Sequence, residues 1–419
     1  MAGRETTMRT ESTNEGTPAR TLSGRTTLLF AVASGVAVAN VYFAQPLLVT
    51  LSRDFEISAA TVGIVVALTQ IGYGLGLFLL VPLGDLVDRR SLVVTQLALL
   101  AAALVATGTA ATAPILLTAL AAVGFLAVVT QTLVAFAASL SSPQRRGRAV
   151  GLVTSGIVIG ILLARTVSGA LADLAGWRSV YLASAALTLV LTLALYRVLP
   201  RRSTPPTSMR YVQLLRSTLM LFVEERVLRV RALLALLVFA AFSTLWSCVA
   251  LPLSEPPLSL SHTAIGAFGL AGAAGALAAA PAGRLHDRGL AGWTTGIALV
   301  LLTVSWLPLA FTRQSLWALA IGAVLLDLAV QAVHVTNQSL IYTVRPDAGS
   351  RLIGGYMVFY SVGSATGALA STTVHAMAGW GAVCVLGAAI SALALLVWAA
   401  TRKGMPAAGT TGASTASAG

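Results

Sequence analysis

Twelve stretches of the chain are apolar almost without interruption, and short polar stretches separate them. They run over roughly 27–51, 58–83, 91–111, 114–139, 149–172, 179–198, 231–253, 263–282, 292–311, 315–342, 353–374 and 381–400. A helix that crosses a bilayer needs about 20 mostly apolar residues. Only helices and closed barrels satisfy every backbone group in lipid, and stretches this long are not barrel strands. The pattern predicts an all-α integral membrane protein of twelve transmembrane helices.

The polar positions divide that series. The longest polar connection, 199–230, carries Pro200, Pro205 and Pro206 and then alternates Arg and Glu with apolar residues. It separates a bundle over 27–198 from one over 231–400, and its part Met209–Leu228 reads as an amphipathic helix on the membrane surface. Residues 1–26, rich in Thr, Ser, Glu and Arg, and 401–419, rich in Gly, Ala, Ser and Thr, read as disordered tails. The first apolar stretch is too long for the core of a cleaved signal peptide.

The two bundles repeat each other. Pro82-Leu83-Gly84-Asp85-Leu86-Val87-Asp88-Arg89 returns as Pro281-Ala282-Gly283-Arg284-Leu285-His286-Asp287-Arg288. Both copies are charged hinges between apolar stretches. At an offset of 203 positions Val62-Gly63 matches Ile265-Gly266, and Arg148 and Gly151 match Arg351 and Gly354. Gly160, Ala164 and Ser168 match Gly363, Gly367 and Ser371 at the same offset, as Ala175-Gly176-Trp177 matches Ala378-Gly379-Trp380. One unit built twice predicts two pseudo-symmetric six-helix bundles, with a binding site between them near mid-membrane.

Composition agrees. The chain is 57% hydrophobic and 10% charged, where a soluble domain has about 25% charged residues, and its mean hydropathy is +0.86. The net charge of +13 does not point to nucleic acid, because the basic residues sit at segment ends rather than on one face. With the N-terminus inside, 23 of the 27 basic residues fall on the cytoplasmic side, Arg231 among them. Arg53, Arg178 and Arg313 fall outside, and Arg165 lies within a helix. This bias predicts a multi-pass cell-membrane protein with both termini in the cytoplasm. Cys248 and Cys384 lie in apolar runs as packing residues. No converging nucleophile, base or metal-ligand spacing is visible, so no catalytic residues, no metal and no cofactor are expected. Gly72-Tyr73-Gly74-Leu75-Gly76 follows no strand and reads as helix packing, not a phosphate loop.

On Gly84, Leu86, Asp88 and Arg89, and on the second copy Gly283–Gly289, the chain resembles a major facilitator superfamily transporter. That family carries a Gly-x-Leu-x-Asp-Arg-x-Gly-Arg-Arg signature between its second and third helices. Here the closing part is shortened to Arg90-Ser91-Leu92, or Asp85 with Arg89-Arg90 in the alternative register. The run Asn40-x-Tyr42-x-x-Gln45-Pro46 is similar to that of an efflux-type branch near drug/proton antiporters. Those antiporters carry a Gly-Pro motif in helix five, where this chain has Gly160 followed by Arg165. The resemblance implies alternating access around a site lined by helices one, four, seven and ten. It implies proton-coupled export of small compounds, with import of a metabolite or a non-transporting sensor as alternatives. The expected partners are a small-molecule substrate, protons and the lipid bilayer, with no nucleic acid, and the chain is expected to be a monomer.

The candidate chemistry lies inside the helices. Asp327, Gln331, His334, Gln338 and Tyr342 recur at helical spacing on one face of the tenth helix. A charge at the bilayer centre costs about 2.5–3.5 kcal/mol on insertion scales, so Asp327 needs a wet cavity or a partner. Asp327 and His334 are the proton-coupling candidates, and an interhelical packing network is the alternative. Asn40, Tyr42 and Gln45 in helix one surround Pro46, which frees a carbonyl for a ligand or merely kinks the helix. Gln131 is the main polar residue of helix four. Trp246 of helix seven reads either as a cavity wall or as an interfacial anchor. Arg165 has three readings: a partner for Asp327, a binder of anions, or a side chain reaching out to the interface. Gly84, Asp85, Asp88, Arg89, Arg90, Gly283, Asp287 and Arg288 form the expected cytoplasmic gate, with a purely orienting charge cluster as the alternative.

Overall fold

The structure, a computed structural model, describes residues 24–200, 210–272, 281–282, 284–285, 288–344 and 349–402. The expected tails lie almost wholly outside the described residues, as do Gly283 and Asp287. The side chain of Asp85 is likewise outside them.

Every regular element among the described residues is helical. The first span is α1 (Gly24–Ala39), a break containing the 3₁₀ turn Gln45–Leu47, and α2 (Leu48–Asp54). Pro46 causes the break, since it has no N–H to donate and its ring crowds the preceding turn. The first bundle continues with α3 (Ile64–Leu79), α4 (Arg89–Gly108), α5 (Ala113–Ala127), α6 (Val129–Leu140), α7 (Pro143–Ala175) and α8 (Trp177–Val198). Helix α9 (Tyr211–Glu224) falls within the predicted amphipathic stretch. Its Tyr211 hydroxyl donates to the Leu79 carbonyl at 2.8 Å, tying it to the first bundle.

The second bundle holds α10 (Arg226–Trp246), α11 (Ala250–Ser254) and α12 (His262–Ala267). The 3₁₀ turn Phe268–Ala271 follows. Next come α13 (Ala291–Val304), α14 (Trp306–Ala310), α15 (Leu316–Val344) and α16 (Gly349–Thr401). Among the described residues nine helices are long and apolar enough to cross a membrane. Three spans account for the difference between the predicted twelve and these nine. Pro46 breaks the first span. The eighth is described only in part, at 263–272 and 281–282. And α16 contains two spans joined at Gly379 (φ 75°, ψ −174°).

That corner is repeated. Gly176 (φ 80°, ψ 160°) separates α7 from α8 as Gly379 divides α16. A side chain is strongly disfavoured in this backbone region. The Trp after each corner is buried and anchored: Trp177 donates to Asp54 at 2.7 Å, and Trp380 to the Leu309 carbonyl at 2.8 Å. The repeated Ala-Gly-Trp is therefore one corner built twice.

Small residues set the packing within each bundle, because lipid supplies no hydrophobic drive between helices and close van der Waals fit must do so. In the first, α7 lies on α1: a Cβ on Gly156 or Gly160 would stand 2.2 Å from the carbonyl oxygen of Ala31 or Gly35. In the second, the first part of α16 lies on α10, with Gly363 and Gly367 against the Leu236 and Ala240 carbonyls. The bundles meet where α3 crosses α16 and α7 crosses α12. Leu174, Trp317, Met377 and Val385 are among the many large apolar side chains left exposed, as a lipid-facing surface requires.

Candidate functional site between the bundles

The crossing of α7 and α12 carries the chemistry. Gly266 lies on the Arg165 carbonyl and Gly269 on the Arg165 side-chain stem. A Cβ on Gly272 would meet Asp327 Oδ2 at 2.6 Å. Three glycines spaced three apart let the eighth span run along Arg165 and reach Asp327. Arg165, from the first bundle, is 3% exposed, and Asp327, from the second, 6%.

Trp246 lies between them. Its indole N–H donates to Asp327 Oδ1 at 3.0 Å, and the Arg165 guanidinium carbon stands 4.2 Å from the centre of a Trp246 ring. Tyr42 and Phe242 complete the aromatic surround, at 5.3 and 5.6 Å. Arg165 Nε donates to Gln45 Oε1 at 2.6 Å, while its Nη2 has no hydrogen-bond partner among the described residues. Arg165 and Asp327 act on each other electrostatically without direct contact. Tyr42 also joins the bundles through its hydroxyl, 2.5 Å from that of Tyr360.

Several expectations are corrected. Arg165 does not reach out to an interface; it is enclosed by aromatic rings and the eighth span. Trp246 is no interfacial anchor, since its ring is buried and its N–H bound inside. Pro46 does not leave an open acceptor: the Tyr42 carbonyl accepts from the Gln45 N–H at 3.2 Å. The neighbouring Phe43 carbonyl accepts from the Ser168 hydroxyl at 2.7 Å. Asn40 is spent on structure. Its amide donates to the Val36 carbonyl at 2.9 Å and its oxygen accepts from Ser184 at 2.7 Å, joining α1 to α8.

The stripe on α15 divides. Tyr342 is exposed, and Gln331 and Gln338 are half-buried. His334 lies seven residues from Asp327, roughly 10 Å along the helix at 1.5 Å per residue. It belongs to a second network: His334 Nδ1 is 2.9 Å from the Tyr356 hydroxyl, and Gln338 Nε2 is 3.3 Å from its Nε2. Arg231 adjoins this network, is buried, and donates to Asn337 Oδ1 at 3.2 Å. Gln131, with Thr130, bonds the Tyr73 hydroxyl within the first bundle.

At the hinge, Asp88 caps α4 by accepting from the Ser91 N–H and hydroxyl, each at 2.9 Å. Arg89 donates to the Gly84 and Ala135 carbonyls, and Arg90 to that of Tyr196. Arg288 is exposed. The opposite face is tied shut across the bundles. Asp173 accepts from the Thr263 N–H at 2.7 Å and its hydroxyl at 2.6 Å. Its carboxylate also lies 2.7 Å from His262 Nδ1, and Thr50 is 2.7 Å from His262 Nε2. Thr372 and Thr373 donate to the Ala60 carbonyl.

Composition hid Asp173, which lies at the very end of an apolar stretch, and Tyr360 and Phe242, which look like any core aromatic. The glycine spacing 266, 269, 272 was a readable signal.

Two repeated bundles in the membrane, joined at a buried pair of opposite charges and tied across the face that holds Asp173, have the architecture of a transporter. The family model for the Major Facilitator Superfamily matches residues 30–288 and 232–417, and the chain belongs to that family. It is 46% identical over 381 residues to the uncharacterized transporter YgaY of Escherichia coli K12, covering 91% of this chain and 96% of that one. A probable transporter of Streptomyces coelicolor is 35% identical over 379 residues, 89% of this chain and 86% of the relative. The crystal structure of a bacterial homolog of the lysosomal transporter Spinster, inward-facing and occupied, superposes with a TM-score of 0.73 at 14% identity. It covers 91% of this chain and 97% of that one. The fold is therefore the twelve-helix fold of this family, and the protein is a transporter rather than an enzyme.

Proposed function

We propose that this chain is a proton-coupled carrier of small organic compounds working by alternating access, with Asp327 as the proton-binding group. The junction carries the reading: Asp327 comes from one bundle, Arg165 from the other, and Trp246 touches both. A proton gained or lost at Asp327 changes the charge balance across the surface at which the bundles must separate. The basic-residue bias orients the hinge face and both termini to the cytoplasm of the cell membrane. The Asp173 cluster then closes the outer side, and the substrate enters from within. The chain works as a monomer in lipid, with substrate and protons as its partners.

The likeness of the Asn40–Pro46 run to drug/proton antiporters supports export in exchange for protons. One observation favours a second direction. Protonating Asp327 leaves Arg165 without a counter-charge, so a negatively charged substrate and a proton gain by travelling together, which drives uptake. Transport in inverted vesicles under an imposed pH gradient decides between them. Substrate-evoked proton flux opposite to substrate movement means exchange, and flux in the same direction means co-transport. In either case Asp327→Asn is expected to abolish gradient-driven accumulation, and normal coupled transport by that variant eliminates Asp327 as the proton carrier.

A further inference from the structure

We infer that the site between the bundles takes an organic anion, a single carboxylate on an aromatic or otherwise apolar body, with the carboxylate on the Arg165 guanidinium. This rests on the reading that the junction is the substrate site. Arg165 is almost completely buried, its Nε is engaged by Gln45, and its Nη2 has no partner among the described residues. A buried donor left unmet is costly, and more so when it is charged. Guanidinium is planar, permanently charged and matched to carboxylate oxygens. Asp327 does not fill that role here, because its Oδ1 accepts from Trp246 and no direct ion pair to Arg165 forms.

The surroundings select the body of the ligand. Trp246, Tyr42 and Phe242 face the guanidinium, and Tyr360 and Phe239 lie beyond them with ring centres 3.9 Å apart and planes tilted by 58°. Such walls favour one charge on an apolar frame over a polyanion. An uncharged oxygen can accept from Nη2 but leaves the charge of Arg165 unbalanced, and a cation is repelled by it. A deprotonated Asp327 opposes a second negative charge beside it, so a proton on Asp327 admits the anion. Substrate and proton binding are then mutually favourable, and the linkage is reciprocal.

The test is ligand binding to the purified full chain in detergent, by calorimetry and thermal shift. The probes are 4-phenylbutyrate, its amide and 4-phenylbutylamine. The carboxylate is expected to bind, with the amide weaker and the amine weakest. Asp327→Asn, which mimics the protonated acid, is expected to tighten carboxylate binding about tenfold, within the usual range of such couplings. Arg165→Gln is expected to erase the preference for carboxylate over amide. If that variant does not fold, Arg165→Lys keeps the charge but not the fork and is expected to weaken the carboxylate several-fold. Amide or amine binding as tight as carboxylate overturns the inference. So does absence of carboxylate binding to both wild type and Asp327→Asn, or an unchanged preference in the Arg165 variants. Carboxylate binding with no proton flux in the vesicle assay sinks the coupling while leaving the substrate class standing.

Discussion

Arg165 and Ala368 stand at the same place in the two bundles, 203 positions apart. The backbone contact at each is the same. Gly266 lies on the carbonyl of Arg165, and its counterpart Gly63 lies on that of Ala368; a Cβ would stand 2.3 Å from either oxygen. A second pair behaves alike. Gly124 of the first bundle packs on Thr69, and at the same offset Asp327 of the second packs on Gly272. The contact is kept and the small and large partners are exchanged. Duplication thus supplied the scaffold twice, while the charges were placed once. The first bundle holds Arg165 where the second has Ala368, and the second holds Asp327 where the first has Gly124. The bundles meet on symmetric glycine contacts, and the charges sit where that symmetry is broken.

The harshest way to break this comparison is Ala368→Arg. It puts a guanidinium at the mirrored place, where Gly124 offers no acid and Gly63 holds the third helix close. An unpaired buried charge costs several kcal/mol, so the yield of monodisperse protein in size-exclusion chromatography is expected to collapse. Wild-type yield shows that this place accepts a buried charge as position 165 does, and breaks the asymmetry. Gly160→Val is expected to cost about 1–3 kcal/mol by overpacking, read as a lower melting temperature, because its Cβ has no room beside Gly35. An unchanged melting temperature sinks the close contact of α7 with α1.

A double-mutant cycle on Arg165→Gln and Asp327→Asn sharpens the asymmetric half of the argument. Thermal unfolding is expected to give a favourable coupling of about 0.5–3 kcal/mol; strict additivity removes the pair as a unit. Smaller still is the far face. Asp173→Asn keeps the shape but gives up charge-assisted bonds to Thr263 and His262, each worth about 1.5–3 kcal/mol at most and less where half exposed. It is expected to lower disulfide cross-linking between cysteines placed at Ala60 and Thr373. Equal cross-linking shows that Asp173 does not hold that face closed. At the small end, Gly151→Ala meets no atom within 4 Å and is expected to leave stability within about 0.5–1 kcal/mol of wild type, on the favourable side.

Much of the fold was legible because membrane segments are long and their composition is extreme. The hinge repeat and the Ala-Gly-Trp repeat announced the duplication, and the structure explains the second as a glycine corner with an anchored Trp. The site was half legible. Asp327 and Arg165 stood out because charge in an apolar stretch is costly, but the sequence left three roles open for Arg165 and two for Trp246. Helical spacing grouped Asp327 with His334 and Tyr342. The structure parts them, because sharing a face does not mean sharing a depth, and a helix of this length passes several neighbours. The burial of Arg231 left no trace in the sequence, since near a segment end the same residue type is a solvated charge or a buried donor depending on what packs over it.

The sequence by itself determined the membrane solvent, the number of spans and the two-fold build, since each follows from local hydrophobicity and from repetition along the chain. Only the tertiary structure decided that Arg165 and Asp327, 162 positions apart in sequence, share one indole between the bundles. Such a meeting depends on how closely helices from different bundles approach. The spacing of Gly266 and Gly272 is visible in the eighth segment, but the partners they pack against, Arg165 and Asp327, are not.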